Sequence, residues 1–172
     1  CSVQKDSSSL KRNLNMYVIS EDQFGSLIKT NNTIKNNLKT WLHDYRMVND
    51  TIDILDPYII NLGIEFVITT LPQADKSTAI NNAVRQLQRF YAAGMYIGEH
   101  FQISDIYAEL KKVRNVLDVV HVKIINKSGA QYSNVQFSIN QNMSPEGNKI
   151  ICPKNAIFEI KFPPVDIKGK TR

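Results

Sequence analysis

The sequence predicts an α+β fold with a split βαβ, ferredoxin-like core and a small appended antiparallel β-meander. Two observations predict it: long segments carry apolar residues at helical spacing, and β-branched runs precede, separate and follow them. The resulting order, β-α-β-β-α-α-β, fits a split βαβ core. Beyond about residue 130, short alternating segments predict the meander. We therefore expect residues 1–12 to be a disordered linker, 13–128 the core domain, and 129–172 an extension packed on that core or on a partner.

The first half of the core is predicted as a strand, a helix and a long β-rich run. Residues 14–20 carry apolar side chains on both faces, as an inner strand does. A helix is predicted from residue 25 onward. Its apolar stripe consists of Leu27, Ile34, Leu38, Trp41, Leu42 and Tyr45. The runs 51–55 and 58–71 are interpreted as a hairpin or one bent edge, with a bulge or bend at Gly63.

The second half of the core is predicted as two helices and a strand. Asp75 or Ser77 caps the longer helix. Its stripe consists of Ile80, Ala83, Val84, Leu87, Phe90, Tyr91 and Gly94. Ser104 is predicted to cap a shorter helix, and the β-branched residues of 116–125 predict the next strand.

The extension carries weaker signals. An alternating strand is predicted by Val135, Phe137 and Ile139. Residues 144–148 predict a tight turn, and further extended segments are predicted at 150–153 and 156–162. Two prolines at 163 and 164 are expected to end regular structure, and the basic residues 168–172 are expected to fray.

Composition and charge limit the classes of protein that the chain represents. Its 172 residues are 42% hydrophobic and 22% charged, within the globular range. The net charge of +5 comes from basic residues that are spread along the sequence, so no dense basic stripe predicts nucleic-acid binding. No apolar run reaches the roughly 20 residues that span a bilayer, and no signal peptide is recognisable, so we expect a soluble intracellular protein. The start at Cys1 and the polar, serine-rich beginning suggest a C-terminal fragment of a longer protein.

Catalytic and metal-binding patterns are not found in the sequence. It contains no P-loop, no G-x-G-x-x-G and no G-x-S-x-G motif, and its three histidines lack metal-ligand spacing. Cys152 is expected to be a buried small hydrophobic residue, while Cys1 lies in the expected linker. His121 is expected to face water or a partner from a strand. The sequence therefore predicts no enzyme, no cofactor and no metal.

A family resemblance rests on residues 96–119. Segment 96–104 reads Tyr-Ile-Gly-Glu-His-Phe-Gln-Ile-Ser, similar to the Ile-x-Ile-Gly-x-x-Leu-x-x-Ser pattern of the baseplate J-like family of contractile phage tails. Segment 113–119 reads Val-Arg-Asn-Val-Leu-Asp-Val and resembles the Val-x-Gly-Val-x-x-Val part of the Ile-x-x-Val-x-Gly-Val-x-x-Val pattern that follows in that family. Asn115 stands where the family usually has glycine, and asparagine tolerates a left-handed backbone. The likeness covers about two thirds of the chain, and is greatest to the large baseplate wedge subunits of T-even phages.

The resemblance implies a structural part of the virion rather than an enzyme. Such wedge subunits self-associate and bind other wedge proteins in a ring around the tail hub, and they are assembled in the host cytoplasm. They need no cofactor, membrane or nucleic acid. Large apolar side chains are the candidates for contact with partner subunits. The alternative is that they close the chain's own core. The candidate interface residues are Phe90, Tyr91, Met95, Tyr96, Phe137, Phe158 and Phe162.

Two other functions compete with this interpretation. A ferredoxin-like sheet can bind nucleic acid by stacking bases on strand aromatics, and Phe66 and Tyr17 are the candidates here. The aromatic and basic motif of that module is missing, however. A small-molecule enzyme on the same fold lacks any convergent set of polar residues.

Overall fold

The computed structural model describes residues 1–6, 12–23, 25–45, 47, 50–129 and 131–172. The strands are β1 (Ser2–Lys5), β2 (Arg12–Tyr17), β3 (Ile19–Glu21), β4 (Leu27–Lys29), β5 (Asp50–Leu55), β6 (Tyr58–Thr70), β7 (Phe101–Gln102), β8 (Val116–Lys127), β9 (Lys149–Ile150), β10 (Ala156–Glu159) and β11 (Ile167–Thr171). The α-helices are α1 (Asn32–His43), α2 (Lys76–Phe90), α3 (Ile103–Lys111) and α4 (Pro163–Asp166). Single 3-10 turns cover Tyr91–Ala93 and Asn140–Asn142. The expected α+β class is confirmed.

The beginning of the chain belongs to a three-stranded sheet. β2 lies between β1, to which it is antiparallel, and β5, to which it is parallel. The predicted inner strand is therefore confirmed for residues 14–17, but Ile19 and Ser20 belong to a separate strand, β3. The expectation of a disordered linker over 1–12 is wrong for Ser2–Lys5, because the backbone of these residues pairs with residues 14–17. Residues 7–11 of the expected linker lie outside the described residues.

A hairpin, β3–β4, follows β2 in the chain. Asp22 closes its turn by accepting a hydrogen bond from the Ser26 amide, at 2.9 Å from Oδ1 to N. Gly25 adopts φ +79°, a left-handed conformation that glycine adopts without a Cβ penalty. The hairpin occupies residues that the sequence assigned to the start of a helix.

The helix α1 begins later than predicted, at Asn32 rather than near residue 25. Leu27–Lys29 are paired in β4, so their backbone is extended. Asn31 then caps the helix, since its Oδ1 accepts a hydrogen bond from the Thr33 amide at 2.9 Å.

The larger sheet is centred on β6. β8 pairs antiparallel along one edge of β6, whereas β10 and β11 pair parallel with successive halves of the other edge. The expected antiparallel meander is therefore wrong, because β10 and β11 align with β6 instead of with each other. The predicted frayed end is also wrong for 168–171, which continue β11 beside β6. The expected hairpin or bent edge of 51–55 and 58–71 is wrong too, since β5 and β6 belong to different sheets.

The hydrophobic core lies on one face of this sheet, beneath α2 and α3. Alternate side chains of β6 point into it: Ile60, Leu62, Ile64, Phe66 and Ile68 are all buried. The helices contribute Ala79, Ala83 and Leu87 from α2 and Ile103, Ile106 and Leu110 from α3. Burial of each large apolar side chain contributes about 1.5 to 3 kcal/mol relative to exposure. The opposite face carries exposed charges, with Glu65 paired in register with Lys123 and Lys168.

Two glycines in this sheet are closely packed, and the packing at Gly169 requires a glycine. A Cβ at Gly169 would lie 2.6 Å from the Phe66 ring, so the ring occupies the space of the missing side chain. A Cβ at Gly63 would lie 2.7 Å from Cε of Lys127. Of the bulge or bend expected at Gly63, the bulge is wrong, since the register shifts of β6 fall farther along, after Val67 and after Thr69.

The turns that flank α3 are held by backbone hydrogen bonds. Asp75 caps α2 as predicted, but Ser104 does not cap α3. The first amides of α3, Ile103 and Ser104, instead donate to the carbonyl oxygen of Asn148 at 2.8 and 3.2 Å. Asn115 has φ +73° and is the one non-glycine residue with positive φ in the described part of the chain. The left-handed backbone predicted at Asn115 is confirmed.

The strand predicted at residues 135–139 does not form. Side chains accept hydrogen bonds from its backbone amides: the Val135 amide donates to Ser133 Oγ at 3.1 Å, and the Phe137 amide donates to Asn126 Oδ1 at 3.1 Å. The turn predicted at 144–148 is confirmed by a 2.8 Å bond from the Gly147 amide to the Ser144 carbonyl oxygen.

The prolines at 163 and 164 open α4 instead of ending regular structure, because the first turn of a helix does not need their missing amide. The extension packs on the core, since Phe158, Ile150, Cys152 and Ile167 belong to the buried cluster.

Candidate interaction surfaces

The first group of predicted interface residues lies at the C-terminal end of α2. Tyr91 is half-buried, stacked on Phe101 with ring centroids 5.4 Å apart and planes inclined by 11°. Phe90 meets the edge of Tyr91 at 5.0 Å and is exposed. Burial, with the charges of Asp105 and Glu109, raises the pKa of the Tyr91 hydroxyl above its usual value. Tyr91 therefore closes the core, and Phe90 presents a face to solvent.

Met95 and Tyr96 follow in the turn after α2. Met95 is half-buried against the core, whereas Tyr96 is 82% exposed. The Tyr96 amide donates to Glu99 Oε2 at 2.7 Å, which fixes the turn while its ring remains in solvent. Of the four residues predicted here, Phe90 and Tyr96 are free to contact a partner.

The three phenylalanines of the extension differ in exposure. Phe158 is 1% exposed and packs edge-on against Phe101 and Phe137, at 6.3 and 5.5 Å between centroids. The prediction of Phe158 as an interface residue is wrong, because its ring fills the core between β10 and β7. Phe137 is half-buried against the same core, and Phe162 is half-buried against Tyr132.

A cleft lies between the β3–β4 hairpin and the main core. It has a volume of about 260 Å³, and Tyr91 and Met95 form part of its wall. Glu159 joins its two sides by accepting from the Leu27 amide at 2.8 Å and from Asn61 Nδ2 at 2.6 Å. The hairpin is thereby fixed to the central strand.

One exposed apolar surface was not predicted as an interface. It lies on α1 and just beyond its C-terminal end, and consists of Ile34, Trp41 and Tyr45, which we call the α1 stripe. Their spacing of seven and four residues places them along one side of the helix axis. Trp41 is 57% exposed and Tyr45 72% exposed, with ring centroids 4.7 Å apart. The sequence placed these residues on the apolar stripe of a predicted helix and did not select them as an interface.

A different face of α1 holds it to the small sheet. Leu38 and Leu42 are half-buried, and α1 has no fully buried residue. Ion pairs support the attachment: Lys35 Nζ lies 2.6 Å from Asp56 Oδ1, and Lys39 Nζ lies 3.5 Å from Asp53 Oδ1. The helix therefore has more apolar surface than the three-stranded sheet covers. The apolar stripe predicted from the sequence was the signal for this excess.

The contacts of Cys152 and His100 are structural. The Cys152 thiol is buried, as predicted, and its Sγ lies 3.4 Å from the Ala156 carbonyl oxygen. Burial raises the pKa of this thiol to about 11. His100 Nδ1 accepts from the Cys152 amide at 3.1 Å, so it contacts backbone rather than sulfur. His121 is exposed on β8, as expected.

Within the described ranges, no group of three or more His, Cys, Asp or Glu side chains has the arrangement of a metal site. No helix in the described part of the chain combines the length and apolar character needed to cross a bilayer. Comparison with protein-family models and with curated proteins finds no match to this chain.

Proposed function

We propose that this protein is a structural subunit of a contractile phage tail baseplate wedge, which self-associates and joins neighbouring wedge proteins around the tail hub. The α1 stripe is the observation that carries the proposal. Exposed aromatic clusters mark partner surfaces, and truncation of a central interface aromatic typically weakens binding by about 1 to 4 kcal/mol. The stripe has two aromatic rings in contact and an aliphatic neighbour, all accessible in the single chain.

The turn pattern that resembles the baseplate J-like family supports the same proposal. Its glycine at position 98 has φ +78°, and its amide donates to the Ala156 carbonyl oxygen at 2.8 Å. The residue in the position of the second family glycine, Asn115, adopts the left-handed conformation that glycine favours. The ferredoxin-like description of the core belongs to this proposal as well. It is supported by two helices on one face of β6 and β8 and by the parallel β11 beside β6.

The test is the molar mass in solution, measured by size-exclusion chromatography with light scattering over a range of concentrations. We expect a concentration-dependent dimer or larger species. Replacing both aromatics of the stripe, Trp41→Gln with Tyr45→Gln, should weaken association at least about tenfold. Leu117→Gln, an exposed apolar residue on β8, is the matched control and should leave the mass unchanged.

A further variant distinguishes the interface predicted at the end of α2 from the α1 stripe. Tyr96→Gln changes the exposed aromatic at the end of α2 and should have little effect if α1 is the contact. A strict monomer at every concentration, or equal loss of association in all three variants, would overturn the assignment of the α1 stripe.

Nucleic-acid binding remains the alternative function. Phe66 is buried beneath the helices, and Tyr17 belongs to the small sheet, so these two aromatics do not form one stacking surface. Tight, salt-sensitive binding of a labelled oligonucleotide at physiological ionic strength would favour this alternative over assembly.

A further inference from the structure

A cluster of positive charge lies between α2 and the end of α3, and we call it the basic cleft. Four polar residues of α2 share one helix face, at spacings of three, four and seven, away from the residues that α2 buries. The residues after α3 form the other wall. The cleft has a volume of about 290 Å³, and its lining comprises Asn82, Arg85, Gln86, Arg89, Lys112, Val113 and Arg114.

The arginines of the basic cleft have no counter-charge. No carboxylate lies within ion-pair distance of Arg85, Arg89 or Arg114 in the described part of the chain, which includes all 16 aspartates and glutamates. All three side chains are exposed. Arg85 and Arg89 are one helical turn apart, and like charges at that spacing destabilise a helix. The fold therefore tolerates a repulsion that a bound anion would relieve.

The acidic residue nearest to the cleft is already engaged. Glu109 Oε2 accepts from Gln86 Nε2 at 2.8 Å, and Glu109 Oε1 accepts from the Lys112 ammonium. Glu109 thus holds two lining side chains in place from α3. It is a support for the wall and leaves the three arginines unpaired.

We propose that the basic cleft binds an acidic segment of a partner protein through its aspartate or glutamate carboxylates. The planar guanidinium fork of arginine matches a carboxylate with two parallel hydrogen bonds. The amide side chains of Asn82 and Gln86 add neutral donors beside those forks. This surface is separate from the α1 stripe, so the proposal holds whether or not the chain belongs to a baseplate.

The surroundings of the cleft favour a short acidic segment over nucleic acid. A nucleic-acid backbone follows a continuous series of cations, and single strands add aromatic rings on which bases stack. None of the described residues that line this cleft is aromatic. The Glu109 carboxylate contacts the lining residues Gln86 and Lys112, and Asp118, four residues after Arg114, pairs with Lys111 at 3.5 Å. These negative charges interrupt any longer cationic track.

The test is fluorescence anisotropy with a labelled oligoglutamate peptide and the full chain, at about 150 mM salt, where exposed charges more than roughly 8 Å apart are screened. The variant is R85Q with R89Q. The matched control is K168Q with K170Q, which removes the same charge from the exposed face of the large sheet. All four side chains are exposed, so circular dichroism melts should coincide; R114Q alone repeats the test at a site outside α2.

We expect the wild-type chain to bind the peptide, R85Q with R89Q to weaken binding at least about tenfold, and the control pair to change it less than about twofold. A labelled single-stranded oligonucleotide is the competing probe. Equal loss of peptide binding in both double variants would mean that binding depends on net charge alone, which would overturn the proposal. Tighter binding of the oligonucleotide, abolished by R85Q with R89Q, would overturn it in favour of nucleic acid, and no peptide binding would overturn it directly.

Discussion

Asn61 connects four parts of the molecule, and its replacement should be among the most destabilising polar substitutions. Its Nδ2 donates to Glu159 Oε2 at 2.6 Å, and its Oδ1 accepts from the Ser133 amide at 2.7 Å. Its backbone carbonyl oxygen accepts from Asn126 Nδ2 at 3.1 Å. The residue is buried near the beginning of β6, so water does not replace these partners readily.

Asn61→Ala removes both side-chain bonds and leaves two partners without them. A bond to a charged acceptor contributes about 1.5 to 3 kcal/mol, and a neutral one about 0.5 to 1.5 kcal/mol. Glu159 and Ser133 are only half-buried and regain part of this from water, so we expect a loss of about 2 to 4 kcal/mol. For a chain of this size that loss lowers the melting temperature by roughly 4 to 16 °C.

Urea unfolding followed by circular dichroism measures the effect. Asn142→Ala is the matched control, because its amide makes a single exposed hydrogen bond, to the Ser138 carbonyl oxygen at 2.9 Å. The control should lose less than about 1 kcal/mol. Asn61→Asp should be at least as damaging as Asn61→Ala, since it places a carboxylate against Glu159. A loss below about 1 kcal/mol for Asn61→Ala would refute the reasoning that this network stabilises the fold.

Three further outcomes follow from individual side chains. Asn115→Val should lower the free energy of unfolding by about 1 to 2 kcal/mol while Asn115→Gly does not, because only glycine accepts φ +73° freely; equal loss in thermal melts would contradict this. Ellman's reagent should modify exposed Cys1 quickly and Cys152 only on unfolding, since burial raises the Cys152 pKa to about 11; two fast thiols in the native protein would count against it. Tyr132 donates to Asp166 at 2.6 Å, which raises the Tyr132 pKa to about 12, so the stabilisation is complete below pH 10 and is lost as pH rises through about 12. Tyr132→Phe should remove that part of the alkaline dependence in urea titrations, and an unchanged dependence would contradict the assignment.

The interface residues show how far sequence reasoning reached. Large aromatics near residues 90 and 96 were identified, and Phe90 and Tyr96 are exposed. The same criterion also selected Phe158, which lies in the core, and did not select Trp41, whose ring is exposed. Residue size and spacing indicate that a side chain needs apolar surroundings. They do not indicate whether the chain itself supplies them.

The basic cleft illustrates the same limit for charge. Arg85 and Arg89 share a helix face and lie outside the apolar stripe that the sequence predicted for this helix. Lys112 and Arg114 are more than 20 residues further along the chain and join them only because α3 packs beside α2. Net charge and local runs therefore missed a cluster that exists only in three dimensions.

The sequence by itself determined the elements whose signals are local: the helix capped by Asp75, the long central strand β6, the strand β8 and the left-handed turn at Asn115. These depend on periodicity, capping and backbone tolerance within a few residues. Only the tertiary structure decided that β10 and β11 extend the main sheet in parallel, and that α1 leaves an apolar stripe open. Parallel pairing joins segments about 100 residues apart, and exposure depends on which surfaces meet, so neither is encoded in a local pattern.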